Sequence, residues 1–174
     1  KALICYHIYF PRDIKINRAS KTTTDMTQKR KILIANGPNL GLLGQRQPGI
    51  YGTDGIDVII EAVRRRVGDA IAIEHLQTNH EGVLIDALNA KAHDTSYIGV
   101  ILNAGAWTHT SLAVADAVAA MDVPVIEVHI SNVHAREGIR HTSLIAPVCR
   151  GVIAGFGIYS YVLAADYLMT LAEK

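Results

Sequence analysis

Thirteen consecutive residues carry eight side chains that can donate, accept or hold a charge: His129, Ser131, Asn132, His134, Arg136, Glu137, Arg140 and His141. Imidazole and guanidinium groups at this density suit general acid–base chemistry on a polar, anionic small molecule. Just upstream is Glu127, a carboxylate in the apolar run Val125, Ile126 and Val128, opened by Pro124. A carboxylate in a buried strand is costly unless it is hydrogen-bonded. His129, two residues on and so on the same face, is a candidate partner, as are residues of a neighbouring loop. Far upstream, Arg46 stands five residues before Tyr51. A lone loop tyrosine is an ordinary packing residue, but a nearby guanidinium favours its ionised form and makes it a candidate base.

Other chemistries fit less well. Gly37, Gly41 and Gly44 resemble a phosphate loop, yet no lysine follows Gly44 and the spacing is not that of a dinucleotide fingerprint. His109, His129 and His134 lack the paired spacing of a zinc site, so no metal is expected. After Lys31 the only lysines are Lys91 and Lys174, neither near the polar cluster, which argues against a Schiff base. No Gly-x-Ser-x-Gly elbow is present.

These residues need elements to hold them. From Lys31 onward, strand and helix patterns alternate. Short apolar strands are expected at 32–35, 70–76, 98–102, 125–128 and 151–154. Helices are expected from an Asp54 cap to about Val67 (apolar side Val58, Ile59, Ala62, Val63 and Val67), at 83–93, from a Thr110 or Ser111 cap to about Met121, and at 158–172. Arg64, Arg65 and Arg66 read as a solvated face near a helix C-terminus, where cations suit the macrodipole. Such alternation predicts an α/β fold: a five-stranded parallel sheet of order 2-1-3-4-5, flavodoxin-like, with helices on both faces. The loops after strands 1, 3 and 4 then meet at one sheet edge. They bring together Asn39, Arg46 and Tyr51; Asn103 and His109; and His129, Ser131, Arg136 and Arg140.

Bulk properties agree with one such domain. The chain has 174 residues, 49% hydrophobic but only 6% aromatic, so its core is built from aliphatic side chains. Net charge is +1, unevenly spread: residues 1–31 hold eight Lys/Arg against two Asp/Glu, and the remainder nine against fourteen. A basic tail on a mildly acidic body, without a recognition motif, gives no reason to expect nucleic acid as a partner. Cys5 and Cys149 read as two free thiols in a reducing, cytoplasmic compartment. No apolar run approaches a membrane span. Residues 1–30 read as an N-terminal extension, disordered or foreign to the natural chain, with Met26 as the candidate natural start; residues 31–174 are the expected catalytic domain.

Five segments together resemble the type II 3-dehydroquinate dehydratases: NGPNLGLLGQRQPGIYG (36–52), QTNHEG (77–82), ILNAGAWTHTS (101–111), PVIEVHISNVHARE (124–137) and GVIAGFG (151–157). The resemblance covers about Lys31 to Ala172. It implies a flavodoxin-like enzyme that converts 3-dehydroquinate to 3-dehydroshikimate without metal or cofactor, assembled as a homododecamer of four trimers. It implies that Tyr51 takes a proton from the carbon next to the ketone and that Arg46 keeps that tyrosine ionised and stabilises the transition state. Asn39 would hold a water against the enolate oxygen, His129 would protonate the departing hydroxyl, and Glu127 would orient this machinery. Asn103, with the backbone N–H groups of Ile130 and Ser131, would bind the carboxylate. His109 and Arg140 would contact ring hydroxyls, Arg136 would serve a lid, and Asp116 would be presented to a neighbouring subunit's site. Gly41, Gly138-Ile139, Thr142 and Cys149-Arg150 depart from the common family pattern, and Gly138 is expected to loosen the loop holding Arg140. A non-catalytic flavodoxin-like domain that binds an anion or nucleotide, and an interaction protein acting through the basic tail, are the alternatives on residues alone.

Overall fold

The structure is a computed structural model that describes residues 29–44 and 55–173. Residues 1–28 of the expected extension, the Asp54 cap, Arg46, Tyr51 and Cys5 lie outside the described residues; Arg30, the extension's expected last residue, already belongs to the first strand. Five parallel strands form one sheet: β1 (Arg30–Asn36), β2 (Ile71–Gln77), β3 (Tyr97–Asn103), β4 (Val125–His129) and β5 (Gly151–Ala154), in the order β2-β1-β3-β4-β5. Among the described residues four α-helices connect or follow them: α1 (Ile56–Val67), α2 (Glu81–Asn89), α3 (Leu112–Ala119) and α4 (Tyr159–Ala172). The flavodoxin-like order read from the sequence is the order observed.

Alternation along β1 divides the core in two. Ile32 and Ile34 face α1 and α4, where Ile59, Val63, Ala164 and Leu168 complete a buried layer. Leu33 and Ala35 face α2 and α3, against Leu84, Leu88, Val114 and Val118. Because side chains switch faces at every residue, the same rule runs through β4. Ile126 and Val128 join the first layer and Val125 the second. Glu127 and His129 therefore share the second face. β3 is buried along its whole length, as its composition predicts for a central parallel strand.

Helix boundaries shift in ways that local chemistry explains. Gly55 stands at the N-cap of α1, and the helix stops at Gly68, whose φ of 67° is a left-handed conformation open to glycine. Arg64, Arg65 and Arg66 occupy the last turn of α1 on its exposed side, and Arg66 pairs with Asp166 of α4 at 2.6 Å. Val58, expected on the apolar side, is exposed, and Ile60 is buried in the layer with Ile59, Val63 and Val67. The next helix ends at Asn89 instead of His93, in a run of turns. Of the two caps considered for α3, Ser111 is the one used: its hydroxyl accepts from Val114 N at 2.9 Å.

The chain leaves β1 for β2 on one side and returns to β3 on the other. The order thus reverses between β1 and β3, whose last residues, Asn36 and Asn103, are register partners. A crevice at such a reversal, beyond the carboxyl ends of the strands, is where open α/β sheets hold ligands.

Candidate active site

The cavity at that crevice is lined by residues from three loops. Pro38, Asn39 and Leu40 follow β1; Asn103, Gly105 and His109 end or follow β3; His129, Ile130, Ser131, Arg136 and Arg140 end or follow β4. Eight of the residues singled out in the sequence meet here: Asn39, Asn103, His109, His129, Ile130, Ser131, Arg136 and Arg140. Glu127 stands behind His129 and outside the lining. Asp116 is exposed on α3 and is not part of this chain's own cavity.

The first loop is shaped by close backbone approach. Gly37 donates its N–H to Asn103 O at 2.8 Å, and a Cβ on Gly37 would come 2.8 Å from the carbonyl carbon of Ala104. Only glycine lets the loops after β1 and β3 come this near. Asn39 then turns with φ 65°, and its N–H is held by Asn79 Oδ1 at 2.8 Å, so the loop after β2 supports the loop after β1.

The loop after β4 presents the acid–base group. One ring nitrogen of His129, Nε2, is 2.7 Å from Glu127 Oε1, and both residues are buried. Ser143 donates its hydroxyl to Glu127, 3.0 Å from each carboxylate oxygen. That hydroxyl oxygen in turn accepts from Ala146 N at 2.9 Å and Ile145 N at 3.1 Å. The carboxylate is thus satisfied on both oxygens, which a buried charge requires. The imidazole is fixed by one nitrogen, and its other nitrogen is left for a ligand.

Cations gather around the same opening. Arg140 Nε is 3.1 Å from Glu137 Oε2, and Arg136 Nε is 3.4 Å from it. Arg136 also reaches the Ser131 hydroxyl at 3.5 Å. Gly138 opens the turn Gly138–Arg140, and His141 N bonds back to Gly138 O at 3.1 Å, so the glycine lies in an ordered 3-10 turn. His109 Nδ1 is 2.8 Å from Thr142 O. Thr142, one of the departures from the family pattern, makes this contact through its backbone, which any residue could supply.

Behind the cavity lies a set of buried polar side chains. Asn103 Nδ2 donates to Tyr161 Oη at 2.8 Å, and Tyr161 Oη donates to Asn36 Oδ1 at 2.7 Å. Burial raises the pKa of the Tyr161 phenol, against a smaller lowering by Asn103, so it stays protonated. Ser160 donates to His129 O at 2.8 Å, tying the start of α4 to the end of β4. Sequence reasoning missed Asn36, Ser143, Ser160 and Tyr161. The signals were faint: three hydroxyl residues, Tyr159, Ser160 and Tyr161, opening a mostly apolar helix, and an asparagine closing an apolar strand. Among the described residues, no three His, Cys, Asp or Glu side chains stand close enough together to hold a metal ion.

Comparison with known proteins adds a family to this geometry. The family model described as dehydroquinase class II matches residues 30–169. A 3-dehydroquinate dehydratase of Jannaschia sp. is 54% identical over 140 residues, covering 80% of this chain and 93% of the relative. One from Rhizobium johnstonii is 50% identical over 149 residues, covering 84% and 99%. The crystal structure of a type II dehydroquinase from Butyrivibrio crossotus superposes with a TM-score of 0.76 at 41% identity, covering 80% of this chain and 97% of that one.

Proposed function

The chain belongs to the class II dehydroquinase family and dehydrates 3-dehydroquinate; we propose that it does so by anti elimination through an enolate. In this reading Tyr51, ionised beside Arg46, removes a proton from the carbon next to the ketone. The charge passes to the ketone oxygen, where a water held by Asn39 stabilises it; such preorganised donors are often the largest single source of acceleration. His129 then gives a proton to the leaving hydroxyl. The electrons of the enolate re-form the carbonyl, the C–O bond breaks, and the conjugated enone 3-dehydroshikimate and water leave.

The observation that supports the second half of this scheme is the Ser143–Glu127–His129 series. A general acid must point a proton-bearing nitrogen at the leaving group, and an imidazole anchored at its other nitrogen is already oriented. Asn103 and the backbone N–H groups of Ile130 and Ser131 line the adjoining wall, which suits the substrate carboxylate. His109, Arg140 and Arg136 also line the cavity, which supports reading the first two as contacts to ring hydroxyls and Arg136 as a lid residue. The first half rests on Arg46 and Tyr51 matching the family motif, since both lie outside the described residues.

Assembly into a homododecamer of four trimers, with Asp116 offered to a neighbour's site, belongs to the same reading. Apolar surface supports it. Tyr159, Leu163 and Tyr167 recur every four residues on the exposed side of α4, with Phe156 just before them and Val152 on the edge strand β5. Leu112, 68% exposed, is one turn before Asp116 on α3. Exposed apolar surface of this extent marks an interaction face. A cytoplasmic enzyme of aromatic biosynthesis or quinate breakdown is the corresponding role; Cys149, an unpaired thiol, fits a reducing compartment.

The test is an ultraviolet assay of enone formation from 3-dehydroquinate. The wild-type chain should turn over, and Tyr51→Phe should lose at least about a hundredfold in kcat with its fold intact. Normal turnover by Tyr51→Phe would remove the phenolate from the mechanism.

A further inference from the structure

Asn103 has two polar ends, and both are committed. Its Oδ1 accepts from Gly105 N at 3.2 Å, and one N–H of its Nδ2 goes to Tyr161 Oη at 2.8 Å. A phenol has one proton to give, and that of Tyr161 goes to Asn36 Oδ1 at 2.7 Å. Its oxygen can therefore only accept from Asn103. Asn36 in turn spends an amide hydrogen outward, with Nδ2 3.3 Å from His75 Nε2 on the edge strand. Every bond runs the same way, from Gly105 N–H and the Asn103 amide toward His75. Tyr161 and Asn36 are fully buried and Asn103 is 3% exposed. Tyr161 and Asn36 are sealed from the surface, so the sense of the series through them is set by their protein partners. The one hydrogen of Asn103 left over, the second N–H of Nδ2, is the donor this side chain can offer the cavity it lines, while its oxygen is held toward Gly105 N.

We propose that Tyr161 and Asn36 are positioning residues for Asn103, holding its amide so that an N–H, and not the carbonyl oxygen, faces the anionic group of the substrate. This rests on the reading of Asn103 as a carboxylate-binding residue. Without the series, the amide could turn over and set its oxygen against a carboxylate, a repulsive contact. Tyr161 touches no substrate in this account. It acts only through Asn103, and Asn36 acts only by taking the Tyr161 proton. A purely structural role, in which the three side chains merely fasten α4 to β1 and β3, would leave substrate affinity alone.

The two roles separate in a double-mutant cycle read by KM and kcat in the enone assay, with thermal unfolding alongside. Asn103→Ala, Tyr161→Phe and the double variant are compared with the wild type. Tyr161→Phe should raise KM about five- to tenfold, the scale of one buried hydrogen bond, with kcat within about twofold. In the Asn103→Ala background the same change should raise KM no further. Asn36→Leu supplies a second route should Tyr161→Phe fail to fold. It frees the Tyr161 proton to turn toward Asn103, and should raise KM by a similar factor although the phenol is still present. A normal KM in folded Tyr161→Phe, or in Asn36→Leu, with KM raised in Asn103→Ala overturns the proposal alone. Equal KM penalties for Tyr161→Phe with and without Asn103 also overturn it. A normal KM in Asn103→Ala removes the carboxylate-binding reading itself, and the two failures are thereby told apart.

Discussion

Glu127 and Glu74 lie on the same face of the sheet, one on β4 and one on the edge strand β2, and each has a ring side chain as its nearest partner. Glu127 meets His129 at 2.7 Å; Glu74 accepts from the Tyr97 hydroxyl at 2.5 Å. Glu127 is fully buried with two fixed partners, the His129 imidazole and the Ser143 hydroxyl. Glu74 is 40% exposed and has two cations, Lys31 at 3.3 Å and Lys91 at 3.7 Å, which also lie over the Tyr97 ring. A carboxylate near water, surrounded by flexible ammonium groups, fastens strand ends together with little consequence for its neighbours. One sealed from water and held by fixed donors imposes an orientation on the ring it binds. At the β4 end the protein uses a costly buried charge to aim an imidazole, which the β2 edge has no need to do.

The largest test of that contrast is on turnover. Glu127→Gln leaves His129 without its anionic anchor and should cut kcat by about a hundredfold or more, within the range set by losing a well-placed acid. His129→Ala should lose about 10²- to 10⁴-fold. Glu74→Gln should change kcat by less than about twofold, measured in the same enone assay. Comparable losses at both carboxylates would erase the distinction.

Stability should separate them next. Glu127→Ala leaves His129 and the Ser143 hydroxyl without their shared partner in the core, and should cost about 3–5 kcal/mol in urea unfolding. Glu74→Ala should cost no more than about 1 kcal/mol, as exposed ion pairs do. Glu74 also gives its contribution a pH signature. The Tyr97 hydrogen bond first, then Lys31 and Lys91, hold its pKa below the ordinary 4.5, against a raising effect of burial. A depressed folded-state pKa means stability that is present above the unfolded value and lost as pH falls through the folded one. The difference between wild type and Glu74→Gln in urea should therefore be constant from pH 7 to about 5.5 and shrink steadily below 4.5. A difference unchanged at pH 3 would show that the carboxylate's charge is not what holds the strand.

The same contrast explains what could be read in the sequence. Glu127 was legible because a charged residue in a β-branched run is improbable without a partner, and His129 lay on the same face by simple alternation. The strand order was legible because each apolar run was short and separated by a helix-length segment. Ser143 was not, since it reaches Glu127 from sixteen residues away by a loop path that no periodicity encodes. Asn36 and Tyr161 are 125 residues apart and meet only because the sheet reverses its order between β1 and β3. Val58 was misplaced because helix periodicity fixes the width of an apolar stripe, while the packing partner decides which flank of it is covered.

The smallest effect is at Cys149, just before β5. Burial, and behind it the charge of Glu127, push its thiol up to about 12, partly opposed by a backbone hydrogen bond from the Glu127 residue. A thiol in that state reacts slowly, because the thiolate is the nucleophile. In a Cys5→Ser background, Cys149 in the native protein should resist a thiol reagent at pH 8 and react promptly once the chain is unfolded. Glu127→Gln removes the second cause and keeps the first. The native labelling rate should therefore rise a fewfold and remain far below the unfolded rate, while Glu74→Gln should leave it unchanged. A rise to the unfolded rate in Glu127→Gln would mean that the variant opens the core around β4 and β5, and the turnover loss at Glu127 would then report damage instead of orientation. Labelling kinetics thus serve as the control on the largest prediction: they separate a lost charge from a lost fold at the carboxylate on which the contrast depends.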